Sequence, residues 1–353
     1  MKLLSKIDLR SDTVTIPPNS MKKVILNARL GDDVMHEDTT TNDLESKAAE
    51  ISNKEAALFV PSGTMGNLVS ILTHCNRGDE IIVGDQSHTF FYEAGGISAY
   101  GGIHSRQLLN NKDGTIDIQL IRESIRSEDD HFPKTTLISL ENTHNRCGGT
   151  PLSLRYLNDV YELANERNIQ VHLDGARIFN ASIATNTSVA KIAGYADSIM
   201  FCLSKGLSSP IGSIICGTAD FIYRARKIRK GLGGGMRQSG IIACLGIYSL
   251  ENMIDQLKED HGNAKYLANE LSLSNLIRID SSKVQTNLVY FKLSNPKISS
   301  DTFIEKCANE GLLFYFTGSG KYRLVTHLGI NREDVQNAVD IIVNVLNLLE
   351  GNN

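Results

Sequence analysis

Between residues 56 and 218, short apolar runs of β type alternate with stretches of helical period, and this alternation restricts the fold more than any other feature. The runs at 57–61, 80–84, 135–141, 169–174, 198–203 and 212–216 read as strands. Leu154, Leu157, Val160, Tyr161 and Ala164 recur at helical spacing, as do Met65, Leu68, Val69 and Leu72. Strands separated by helices predict an α/β fold, a mostly parallel sheet with helices on both faces. Ligands in such folds sit beyond the carboxyl ends of the strands. Past residue 241 the pattern changes: a long amphipathic helix at 240–271, a strand at 286–293, a helix at 299–311, a strand at 322–327 and a last helix from 331. That is a smaller α+β unit. The expected domains are therefore an arm at 1–40, extended and polar, belonging to the small domain or to a subunit contact; a large domain at 41–245; and a small domain at 246–353.

Composition removes several classes. The 353 residues carry 36 Lys+Arg against 40 Asp+Glu, a formal charge of −4. Such a balance gives no electrostatic reason to expect nucleic acid or an anionic membrane as partner. The longest run without Asp, Glu, Lys or Arg, 56–76, contains Pro61, Gly63, Gly66, Asn67 and His74 and does not read as a membrane span. Charges at Lys2, Lys6, Asp8, Arg10 and Asp12 leave no apolar core for a signal peptide. The six cysteines form no C-x-x-C pair, which predicts reduced thiols in a cytoplasmic protein.

Three strand ends carry candidate chemistry. Pro61-Ser62-Gly63-Thr64-Met65-Gly66-Asn67 joins a strand to an amphipathic helix. Small residues let the backbone approach an anion, and a helix N-terminus adds N–H groups and a favourable dipole. Ser62, Gly63 and Thr64 read either as a phosphate cup or as an ordinary helix cap. No Walker lysine and no G-x-G-x-x-G spacing is present, so triphosphate and dinucleotide loops both fail. Asp174, in Val171-His172-Leu173-Asp174-Gly175-Ala176-Arg177, ends a buried-type strand, where an acid is costly unless a cation pairs with it. A cap is the alternative there too. Lys205, in Met200-Phe201-Cys202-Leu203-Ser204-Lys205-Gly206, ends the following strand; it is desolvated and reactive, or paired, or reaching for solvent. Together a phosphate cup, a strand-end acid and a strand-end lysine are the parts that hold pyridoxal phosphate.

With these segments in place, the chain resembles the low-specificity L-threonine aldolases of the β-eliminating-lyase family, among the type I pyridoxal phosphate enzymes. The matching segments include Asp8-Leu9-Arg10-Ser11-Asp12-Thr13-Val14-Thr15, Gly31-Asp32-Asp33-Val34, Glu141-Asn142-Thr143-His144-Asn145, Leu232-Gly233-Gly234-Gly235-Met236-Arg237-Gln238 and Arg323-Leu324-Val325-Thr326-His327, besides the three strand ends. The resemblance implies an aspartate-aminotransferase-like fold and pyridoxal 5'-phosphate as cofactor. It implies Lys205 as the Schiff-base lysine, Asp174 as the partner of the ring nitrogen, and Ser62, Gly63 and Thr64 as the phosphate cup. His88 matches a histidine stacked on the cofactor ring. Arg177, also beside the cofactor, and Arg323, assisted by Ser11, match the groups that hold a substrate carboxylate, a task suited to the planar guanidinium. Arg237 matches an arginine reaching the phosphate of a neighbouring subunit.

The implied reaction is retro-aldol cleavage of L-threonine or L-allo-threonine to glycine and acetaldehyde. His88 or His144, directly or through water, would take the β-hydroxyl proton. A cytoplasmic homotetramer, a dimer of dimers with sites shared across the dimer, is implied as well. Another type I lyase acting on a β-substituted L-amino acid would share Lys205 and Asp174, and a non-catalytic binding protein could keep the fold. A metal site built from His36, His88 and His144 has no local ligand spacing to support it, so no metal is expected. The chain departs from the family where Tyr-Gly is usual and Met35-His36 stands, and where Pro is usual and Thr39 stands. Those changes bear on substrate preference and on the stiffness of that loop.

Overall fold

A computed structural model describes residues 6–351. The part of the expected arm carried by residues 1–5, Lys2 included, lies outside them. The chain divides into two compact units: 17–254, and 1–16 together with 255–353. The arm therefore splits at 16/17, and the second boundary falls at 254/255. Residues 17–40 are not extended throughout. They contain a short helix, Asn19–Lys23, and 3-10 turns at Val24–Asn27 and Asp33–Met35.

The larger unit is built on seven strands: β1 (Ala56–Val60), β2 (Glu80–Gly84), β3 (His104–Leu108), β4 (Thr135–Glu141), β5 (Gln170–Asp174), β6 (Ser198–Cys202) and β7 (Ser213–Gly217). Their order across the sheet is β1-β7-β6-β5-β4-β2-β3. All neighbours are parallel except β7, which is antiparallel to both β1 and β6. Strands β2, β6 and β7 are buried at every residue, as expected for a sheet covered on both faces. The strand missed by pattern reading is β3, His-Ser-Arg-Gln-Leu. It lies at the sheet edge with most of its residues half-buried or exposed, so it carries no apolar run.

Helix α1 (Gly63–His74) follows β1 and is capped by Ser62, whose Oγ accepts from the Met65 N–H at 3.2 Å. Close packing fixes its small residues. A Cβ on Gly63 would meet Cys202 Sγ at 2.9 Å, and one on Gly66 would meet Met200 Cγ at 2.6 Å. The single helix expected at 240–271 is two: α2 (Gly240–Asn252) and α3 (Leu257–Ser272), separated by a turn at 253–256. Each serves a different core, since the unit boundary falls in that turn.

The smaller unit packs α3, the helices Ser300–Asn309 and Arg332–Gly351, and a four-stranded sheet around one apolar cluster that includes Leu9, Leu267, Phe291, Phe303, Tyr322 and Ile342. The strand Ile7–Asp8 pairs in parallel with Leu312–Leu313, which ties the chain's start to this unit. No helix among the described residues is long and apolar enough to cross a membrane.

Candidate active site

Because β1, β2, β4, β5 and β6 run the same way, the residues that follow their carboxyl ends gather at one edge of the sheet. A cavity of about 270 Å³ opens there, lined by Ser62, Gly63, Thr64, His88, Asp174 and Lys205 together with Asn67, Glu93 and other residues. The three strand-end motifs thus share one wall-to-wall space. The N–H groups of the first turn of α1, outside the intrahelical ladder, belong to that space.

Asp174 closes β5 and is 2% exposed. Its carboxylate is held by neutral donors: Asn67 Nδ2 at 3.0 Å to Oδ2 and the Ala176 N–H at 3.1 Å to Oδ1. The same Asn67 Nδ2 donates to Glu93 Oε1 at 2.8 Å, and Glu93 Oε1 meets His88 Nδ1 at 2.8 Å. The His88 ring and the Glu93 and Asp174 carboxylates offer atoms all within 4.8 Å of one another. Burial and then the neighbouring Asp174 charge push the Glu93 pKa up, against the hydrogen bonds from His88 and Asn67. Burial disfavours charge on His88, yet the Glu93 hydrogen bond and the two carboxylates outweigh it and raise its pKa. Lys205, half-buried after β6, acts the other way on His88 through its own charge.

Glu141, at the end of β4, accepts from the His88 N–H at 2.7 Å and from the Asn145 N–H at 2.8 Å, so one carboxylate fixes two loops. His144 lies in the second of these. It is 1% exposed, its Nε2 is 3.8 Å from Glu141 Oε2, and it is not among the cavity-lining residues. Arg177 is buried at the start of the helix Ile178–Thr185. Arg237 is exposed and donates from Nη1 to Asp32 Oδ2 at 2.9 Å. In the smaller unit, Ser11 Oγ accepts from the Thr13 N–H at 3.2 Å, and Arg323, on the strand Tyr322–Val325, donates from Nη2 to the Arg10 carbonyl at 3.0 Å.

The loop that departs from the family is pinned at two acids. Asp33 makes a buried ion pair with Arg229 at 2.7 Å. Asp38 accepts from the N–H groups of Gly31, Thr41 and Gly240 at 3.2, 2.8 and 3.0 Å. Between them His36 sits at φ +61°, the left-handed region a glycine would favour. The sequence alone assigns no role to Asn67, Glu93 or Glu141. Asn67 and Glu141 stand in motifs quoted above with no role attached to them, and Glu93 is a long-range partner with no local signal.

Comparison with known proteins decides the family. Residues 8–294 match the beta-eliminating lyases. The chain belongs to that family. Low-specificity L-threonine aldolase 1 of Arabidopsis thaliana is 42% identical over 337 residues, 94% of each chain. The low specificity L-threonine aldolase of Escherichia coli strain K12 is 43% identical over 329 residues, 93% of this chain and 96% of that one. Among solved structures, the Leishmania major threonine aldolase superposes with a TM-score of 0.81 at 18% identity, covering 96% of this chain and 99% of the other. The Sphingomonas wittichii serine palmitoyltransferase does so at 0.75 and 16%, covering 98% and 88%. These likenesses show the aspartate-aminotransferase-like fold.

Pyridoxal phosphate is the cofactor of beta-eliminating lyases of this kind, and the residues present fit it. The close approach of Gly63 and Gly66 to β6 keeps the start of α1 free of side-chain bulk. A buried carboxylate held by neutral donors is suited to a cationic ring nitrogen, and a primary amine, Lys205, lines the same cavity.

Proposed function

We propose that this protein is a pyridoxal phosphate-dependent carbon–carbon lyase that cleaves L-threonine or L-allo-threonine to glycine and acetaldehyde. The observation that carries the reading is the single cavity joining the capped start of α1, Asp174, His88 and Lys205; the 42–43% identical aldolases support the choice of substrate. When bound, pyridoxal phosphate supplies an electron sink for the bond broken at the substrate's Cα.

This chain's residues do the rest. Lys205, the amine lining the cavity, would hold the cofactor covalently. Ser62, Gly63 and Thr64 bind the phosphate at the N-terminus of α1. Asp174, fixed by Asn67 and the Ala176 N–H, would hold the cofactor's ring nitrogen and favour its cationic form. Arg177 would take the substrate carboxylate and orient the substrate, a role that the resemblance also gives to Arg323 and Ser11. Of the two candidate histidines, His88 lines the cavity. With Nδ1 engaged by Glu93, its Nε2 is the atom that receives the β-hydroxyl proton, directly or through a water. His144, behind Glu141, then acts on the loop rather than on the substrate.

Arg237 is proposed to reach a neighbouring subunit's phosphate in a homotetramer assembled as a dimer of dimers, a role suited to its exposure. The setting is proposed as cytoplasmic, in threonine breakdown and glycine supply. The name of the matched family gives a second reading, β-elimination from a β-substituted L-amino acid. One assay separates them. Purified protein with cofactor and L-threonine should release acetaldehyde, read through coupled aldehyde reduction; pyruvate release from β-substituted substrates without acetaldehyde would favour the second reading.

A further inference from the structure

Beneath Asp174 runs a line of polar groups, buried but for the half-buried His74 at its far end, that the proposed reaction does not use. Asn67 and His74 lie seven residues apart on α1, two turns along one face. His172 and Ser198 sit opposite one another across β5 and β6. The contacts join them in series. His74 Nε2 meets Ser198 Oγ at 2.7 Å, Ser198 Oγ meets His172 Nδ1 at 2.8 Å, and His172 Nε2 meets Asn67 Oδ1 at 3.1 Å. Asn67 Nδ2 then reaches Asp174 Oδ2 at 3.0 Å and Glu93 Oε1 at 2.8 Å. His172 and Ser198 are fully buried and Asn67 is 1% exposed.

The proton inventory leaves one direction for this line. An amide nitrogen only donates, so the two hydrogens of Asn67 Nδ2 face Asp174 and Glu93. Asn67 Oδ1 only accepts, so His172 must carry its hydrogen on Nε2. Burial holds His172 neutral, with its pKa pushed down to about 3. A neutral ring protonated on Nε2 has its lone pair on Nδ1, which makes Ser198 the donor there. Ser198 Oγ is left to accept from His74 Nε2–H. Burial, the nearby His172 and Arg224 push the His74 pKa down to about 3 as well, and the ring stacks on Phe221 with centroids 4.5 Å apart.

We propose that His74, Ser198, His172 and Asn67 form a one-way hydrogen-bond chain whose donors all point toward Asp174, and that His172 is a positioning residue that fixes Asp174 against the cofactor's ring nitrogen. From His74 Nε2 to Asn67 every donor and acceptor is satisfied in one tautomeric arrangement, so a break at Ser198, His172 or Asn67 leaves a buried group unpaired. The chain acts on the cofactor through Asn67 and Asp174 and touches no substrate atom. It rests on the reading that Asp174 faces that nitrogen.

The test begins with the full-length protein carrying its cofactor and labelled with nitrogen-15 histidine. Two-bond proton–nitrogen spectra should show His172 and His74 neutral and protonated on Nε2 from about pH 5.5 to about pH 8.5. His172 protonated on Nδ1, or on both nitrogens, in that range overturns the proposal. The second arm compares His172→Phe with His172→Gln. Phe can neither donate to Asn67 nor accept from Ser198, whereas Gln can do both. The Phe variant should bind pyridoxal phosphate about tenfold more weakly, the scale of one buried hydrogen bond. It should also shift the pH at which the bound cofactor's visible absorbance titrates, and the Gln variant should recover most of both effects. Equal loss in the two variants, or none in either, contradicts the chain. If either variant fails to fold, the tautomers of the unsubstituted protein decide. Failure of the wider reading looks different: no cofactor is taken up, while the tautomers of the cofactor-free protein still report on the chain.

Discussion

Asp174 and Asp33 are both carboxylates buried in the larger unit, at 2% and 1% exposure, and they are satisfied in opposite ways. Asp33 is matched by guanidinium groups: Arg229 at 2.7 Å and Arg226 Nη1 at 3.8 Å. Its charge is used up inside the fold, where Arg229 also donates to the Phe59 carbonyl at 2.7 Å and so ties the loop at 31–40 to β1. Asp174 receives hydrogen bonds from an amide side chain and a backbone N–H, which hold its position without cancelling its charge. A carboxylate of the first kind stabilises a structure. One of the second kind keeps its negative potential for a cation that arrives with a ligand.

That contrast gives graded expectations. Lys205→Ala, which removes the amine proposed as the cofactor's anchor, should lower turnover by about 10³-fold or more and abolish the visible absorbance of bound cofactor, with thermal stability near that of the unsubstituted protein. Full activity in this variant would break the mechanism. Asp174→Asn keeps shape and loses charge. It should lower kcat by about 10²-fold while the protein stays folded, whereas Asp33→Asn should leave activity per folded molecule intact and lower stability by about 3 kcal/mol, because Arg229 is left buried without its counter-charge. Denaturant unfolding and initial rates on both variants decide it. A reversed pattern, with Asp33→Asn losing kcat and Asp174→Asn losing stability, would erase the distinction.

A smaller effect concerns His88, the titrating neighbour of Asp174. Its folded pKa lies above its ordinary value of 6.5, by way of Glu93 and Asp174. Its pairing therefore contributes stability at pH below the unfolded value and loses it as pH rises through the folded one. Glu93→Gln should bring the His88 pKa down in an NMR titration and shrink that low-pH contribution; an unmoved pKa would remove Glu93 from the site. Least of all, His36→Gly should raise stability by about 0.5–1 kcal/mol, since φ +61° at that position suits glycine. A loss on denaturant unfolding would mean that the His36 side chain makes a compensating contact.

The contrast also separates what the chain's order of residues reveals from what it hides. Lys205, Asp174 and Ser62 are legible because each follows an apolar run, and strand ends in an α/β fold converge without further information. The strands Glu80–Gly84 and Thr135–Glu141 agree with expectation to the residue for the same reason. Asn67, Glu93 and His172 are not legible as partners, since they lie 26 and 105 residues apart in the chain and meet only through tertiary packing. Arg229 and Asp33, 196 residues apart, are hidden in the same way. The turn between α2 and α3 has no Gly or Pro to mark it. Apolar residues run through it because α2 is apolar over most of its surface and α3 turns an apolar face to its own core.

Hydride reduction of the cofactor-loaded protein, followed by peptide mass mapping, tests the central claim most directly. Borohydride should fix one pyridoxyl phosphate per chain on the peptide containing Lys205, with loss of the visible absorbance. Fixation on another lysine, such as Lys191 or Lys230, or no fixation at all, would contradict the account.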